Sequence, residues 1–132
     1  MDSGAMEELL NKPYWIIDIL PSRVPGDSPG QYFAVEAFLR KEQMAAIKQK
    51  HISLILKLNC YRAVTLEEET NPPPAHIAGI MHRQTAQFML GDALLLSEPD
   101  DTYLTLFNPD ESLLALVRSI AAGEGLYVWK GE

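Results

Sequence analysis

A single cysteine, Cys60, stands among the 132 residues, so no internal disulfide can form. That fits a reducing setting, and a cytoplasmic location is expected. No apolar run approaches the ~20 residues that span a bilayer. The first residues lack a basic stretch followed by an apolar one, so neither a membrane partner nor a secretory leader is expected. Positive charge is also scarce: 11 Lys and Arg face 18 Asp and Glu, for a net charge of −7. An acidic surface repels phosphate backbones. The densest basic group, Arg40, Lys41, Lys48, Lys50 and Lys57, is broken by Glu42 and reads as a solvated helix face. No nucleic-acid partner is expected.

Chemical motifs are missing too. There is no GxGxxG or phosphate-binding loop, no HExxH, no paired cysteines and no GxSxG elbow. His76 and His82 are six residues apart, which places them on different sides of a helix. His51 is expected near a helix C-terminus, where the dipole favours it. Glu67–Glu69 and Glu98, Asp100 and Asp101 lack the spacing of a calcium loop. No metal and no cofactor is expected, and an enzyme is the least favoured class.

What is present is a regular set of elements within the size range of one domain. Residues 1–12 are expected to be a flexible start, with the first five outside the fold, and residues 13–131 a single α+β domain. Tyr14–Leu20 is β-branched and aromatic and reads as a strand closed by Pro21. Ser28-Pro29-Gly30-Gln31 predicts a helix start, and the helix should run through Tyr32, Val35, Phe38 and Leu39; it either continues to about Lys50, since no Gly or Pro intervenes, or meets a second helix near Arg40-Lys41, where the periodicity falters. Ile52–Tyr61 alternates and reads as a strand, with Ile52, Leu54, Leu56, Leu58 and Cys60 on one side. Cys60 would then be a buried, inert thiol. Residues 67–74, acidic and then proline-rich, predict a loop. Segment 75–90 is the least legible, with helical spacing weakened by Gly79.

Leu94–Leu96 and Tyr103–Phe107 flank Glu98-Pro99-Asp100-Asp101 and predict a hairpin. Asn108-Pro109 predicts a capped helix through Leu113, Val117, Ile120 and Ala121, closed at Gly123. Residues 126–130 predict a last strand. The order β-α-β … β-β-α-β implies an open-faced α/β sandwich, loosely ferredoxin-like, with the helices on one face of the sheet.

Alternation splits the strands into an aliphatic set, including Trp15, Ile17, Leu104, Leu106 and Val128, and a mixed, aromatic one. The helices should cover the first. The second carries the candidate site residues Tyr14, Asp18, Lys57, Tyr61, Tyr103, Phe107, Tyr127 and Trp129, with His82 contributed by segment 75–90. Asp18 pairs with Lys57 if their strands are neighbours; otherwise it marks a binding site. Two functions stay open. The aromatic face makes a homo-oligomer or binds a protein partner. Alternatively, it forms a small-molecule pocket with segment 75–90.

Overall fold

The computed structural model describes residues 3–131; Met1, Asp2 and Glu132 lie outside the described residues. The elements are α1 (Ser3–Leu10), β1 (Tyr14–Asp18), α2 (Tyr32–Glu42), α3 (Met44–Tyr61), β2 (Thr65–Leu66), β3 (Glu69–Thr70), α4 (Pro74–Arg83), β4 (Ala86–Leu90), β5 (Ala93–Ser97), β6 (Leu104–Phe107), α5 (Glu111–Gly123) and β7 (Tyr127–Lys130). The class is α+β. No described helix is long and apolar enough to cross a membrane.

Ile52–Tyr61 is helix, not strand. Buried Ile47, His51, Leu54 and Leu58, with Lys48, Ile52 and Ile55 beside them, follow the i, i+4, i+7 ladder of a helix. Ile55, which a strand would put on the polar side, is fully buried. The even-numbered leucines imitate a period of two, but Leu, Lys and Ala favour the helix and no Gly or Pro interrupts it. Cys60 is therefore exposed near the end of α3, and His51 sits in mid-helix rather than at its end. Segment 75–90 resolves into α4 and β4.

With Ile52–Tyr61 lost as a strand, the expected β-α-β opening becomes β-α-α, while the β-β-α-β ending appears as β5, β6, α5 and β7. The sheet is antiparallel throughout, in the order β3-β2-β4-β5-β6-β1-β7. β1 is inserted between β6 and β7, so the strands joined by α5 are held apart by the N-terminal one.

Register assigns the faces. One cross-strand row is Leu66, Phe88, Leu95, Leu106, Trp15 and Lys130; the next is Ala86, Ser97, Leu104, Ile17 and Val128. The opposite face carries Thr65, Met89, Leu94, Phe107 and Tyr14, then Gln87, Leu96, Thr105, Ile16 and Trp129. Trp15 and Trp129 thus point to opposite sides, as alternation predicts.

The first face meets Ile52, Leu54, Ile55 and Leu58 of α3, Ile77, Ile80 and Met81 of α4, and Leu113, Val117 and Ala121 of α5 in one continuous core. The other two helices depart from the single-face expectation. Met6 of α1 borders a groove with Gln87 and Met89 on the second face, and Tyr32 of α2 lines a cleft there.

Helix ends are set by local chemistry. The N-cap of α5 is Asp110, whose Oδ1 accepts from the Leu113 N–H at 2.7 Å, rather than Asn108. Asn108 takes a φ of 59° and its amide donates to the Asp92 carbonyl. The C-terminal turn of α5 closes at Gly125, φ 76°, not Gly123. There the N–H groups of Leu126 and Gly125 donate to the carbonyls of Ala121 and Ala122.

Between α3 and the β5–β6 loop lies a polar pair inside the core. The Lys48 ammonium is buried and donates to the Glu98 carbonyl at 2.8 Å and the Ser97 hydroxyl at 3.3 Å, fastening the loop to the helix. One turn on, His51 is wholly buried and neither ring nitrogen has a hydrogen-bond partner of good geometry. Burial, then the neighbouring Lys48 charge, lowers its pKa from 6.5 to about 3, only partly opposed by the Thr102 backbone.

The folded state therefore keeps His51 neutral where the unfolded chain takes up a proton. Its contribution to stability is complete above pH 6.5 and is lost as pH falls from there toward about 3. The loss is about 1.4 kcal/mol per pH unit in that window. Urea unfolding of the wild type and His51→Leu at pH 7, 5 and 4 should show the stability difference moving in favour of the variant as pH falls; a pH-independent difference would contradict it.

Candidate functional site

A cleft of about 450 Å³ opens on the second face, at the β1–β7 edge, and is the concavity that gathers the most aromatic side chains. β1 supplies Tyr14, Ile16 and Asp18 on alternate positions, and β7 supplies Trp129 directly opposite Ile16. Tyr103 enters just ahead of β6. The proline-marked connection after β1 folds back to add Leu20, Ser22, Arg23 and Val24, and the first residue of α2, Tyr32, closes the rim. Such a volume suits a small molecule, as does an apolar wall with a few polar groups.

Close backbone approach sets one wall. Gly131 donates its N–H to the Tyr14 carbonyl at 2.8 Å. A Cβ on Gly131 would lie 2.0 Å from Cε2 of the Tyr14 ring, so only glycine lets that ring lie where it does. The far side of Tyr14 rests on Phe107, ring centroids 5.7 Å apart.

Asp18 is the acidic group of the cleft lining and Arg23 the basic one. Its Oδ1 accepts from the Ile19 N–H at 2.7 Å. Burial pushes its carboxyl above the usual 3.8; backbone N–H groups of Ile19 and Leu20 oppose this and the Glu36 charge adds to it. The Tyr32 hydroxyl donates to Glu36 at 2.7 Å, and that bond, then burial, drives its pKa to about 12. Tyr103 is also raised, by burial first and then by Asp101, with Asp18 and Glu36 adding to it and Arg40 opposing. Arg40 bridges Glu36 at 3.8 Å and Asp101 at 3.6 Å. The indole N–H of Trp129 is buried and has no acceptor.

Of the residues expected from sequence, Tyr14, Asp18, Tyr103 and Trp129 meet in this cleft. Tyr127 shares the face, opposite Asp18 in register, and is exposed outside the lining. Phe107 is only 8% exposed, which removes it as an anchor for a partner. Lys57 is on α3 and pairs with Glu124, so the Asp18–Lys57 ion pair does not form. Tyr61 ends α3, and His82, on α4, is exposed; neither lines the cleft. Segment 75–90 does not cover the cleft; residues 20–24 and Tyr32 do.

Sequence reasoning missed Arg23 and Tyr32. The clustered Pro21, Pro25 and Pro29 marked a loop there but not the side of the sheet on which it lies.

Two larger depressions have linings without aromatic residues. One, bounded by Met6, Thr65, Glu67, Glu68 and Gln87, lies at the β2–β4 edge; the other runs along Gln84, Thr85 and Glu98–Asp101. Among the described residues no group of three or more His, Cys, Asp or Glu is arranged to hold a metal ion. No protein family, curated protein or solved structure matches this chain.

Ionised Asp18 is disfavoured in the folded state, so its effect on stability is most favourable below pH 3.8 and worsens as pH rises through its elevated folded value. Asp18→Asn keeps an acceptor for Ile19 and loses the charge. Its melting temperature relative to wild type should be higher at pH 7 than at pH 3; a difference unchanged between the two would show that Asp18 is well solvated.

Proposed function

We propose that this chain is a non-catalytic domain that binds a small molecule in the cleft between β1, β7 and the 20–24 connection. The observation that carries the reading is the convergence of Tyr14, Tyr32, Tyr103 and Trp129 with one half-buried carboxylate, Asp18, around a space of about 450 Å³. Aromatic walls supply contact area at little entropic cost, and a few charged or polar groups fix orientation. The exposed lone thiol of Cys60 fits a reducing, cytoplasmic setting.

A thermal-shift screen of metabolites tests this, since a ligand of the folded state raises the melting temperature. A hit should weaken about tenfold in Gly131→Ala, where the new methyl group displaces the Tyr14 ring. Hits unaffected by Gly131→Ala, or no hits, would count against the cleft.

A second reading, protein contact including self-association, is favoured by α2 rather than by the sheet face. α2 buries none of its residues, and Phe33 and Phe38 are 82% and 59% exposed. With Ala34 and Ala37 between them, they make an outward apolar face. Sedimentation of wild type and Phe33→Ser/Phe38→Ser should show concentration-dependent association in the wild type alone; a wild type monomeric throughout removes the self-association part.

A further inference from the structure

We propose that the ligand class of the cleft is an organic cation, an alkylated ammonium group held among Tyr14, Tyr32, Tyr103 and Trp129 and neutralised by Asp18. The proposal rests on the ligand-binding reading above and narrows it to one chemistry.

Ring faces attract cations, most strongly where water is excluded, and cages of aromatic residues suit ammonium groups too bulky for a tight hydrogen-bonded site. The charges around the cleft point the same way. The one charged group that shifts Asp18 is Glu36, itself negative. Asp101 adds negative potential at Tyr103. Arg40, the cation nearest these acids, is bound to both Glu36 and Asp101. Arg23 lines the cleft but already has a partner within the molecule. An anion would have to enter against Asp18, and a neutral guest would desolvate its half-buried carboxylate further without supplying a counter-charge. A cation relieves that cost and adds the interaction with the rings.

The same chemistry could arrive as a free small cation or on a methylated lysine side chain. The volume favours the free molecule, and both can be assayed.

Trp15 lies on the opposite face, so Trp15→Phe leaves Trp129 as the sole tryptophan reporter. Emission of that protein would be titrated with choline, with its neutral isostere 3,3-dimethylbutan-1-ol, with acetate, and with a trimethyllysine peptide. Choline should bind at least about tenfold more tightly than the isostere, with acetate silent. Asp18→Asn should cost choline about tenfold and leave the isostere unchanged. Tyr103→Leu, which keeps Asp18, should weaken choline and the isostere unequally, choline more.

Tighter binding of the peptide than of choline keeps the cation chemistry and assigns it to a protein-borne group. Equal binding of choline and the isostere, or choline binding indifferent to Asp18→Asn, overturns the cation proposal while leaving a small-molecule cleft. So does silence from both cationic probes when the broader screen finds a neutral or anionic ligand sensitive to Gly131→Ala. Silence throughout the titrations and the screen overturns both readings.

Discussion

The insertion of β1 between β6 and β7 is the constraint on which the rest of the molecule depends. By pairing on both sides, β1 fixes two registers at once: Ile16 stands opposite Thr105 and Trp129, and Ile17 opposite Leu104 and Val128. A slip of one residue would exchange the faces. It would lift Ile17 out of the core and drive Asp18 into it. The same double pairing makes the cleft possible, because Tyr103 and Trp129, distant in sequence, come to flank β1 and its Tyr14.

The two faces are organised by different physics. On the first, α3, α4 and α5 exclude water over a continuous aliphatic layer. Its polar exceptions, Lys48 and His51, lie on one side of α3 next to the β5–β6 loop. Lys48 keeps its burial tolerable by donating to a carbonyl and a hydroxyl, whereas His51 does so by remaining neutral. On the second face there is no equivalent layer. α1 and the 20–24 connection border it in separate places, and the space between the latter and the strands is the cleft. Partial cover is what leaves Asp18 half-desolvated, with its charge unanswered by any cation that shifts it.

Much of this was legible before any coordinates. The alternation of Tyr14–Asp18 and Leu104–Phe107, and the turn at Pro99, read correctly because strand periodicity and turn chemistry are local properties. The opposite orientation of Trp15 and Trp129 followed from the same alternation. Four of the nine expected site residues meet in the cleft for that reason. Lys57, Tyr61 and His82 went astray with their elements. Ile52–Tyr61 satisfies both a strand and a helix pattern, and the choice between them is made by which side chains find a core to enter. Fully buried Ile55 shows which pattern prevailed.

By itself, then, the sequence determined the α+β class, the partition of β1, β6 and β7 into greasy and aromatic sides, the lack of an internal disulfide and the acidic balance, because each depends on composition or on neighbours a few residues away. The tertiary structure alone decided that Ile52–Tyr61 continues α3 as a helix, that β1 lies between β6 and β7, and that a proline-stiffened connection rather than segment 75–90 walls the cleft. Those outcomes turn on strand order and long-range burial, which sum contributions from the whole chain and leave no mark at any single position.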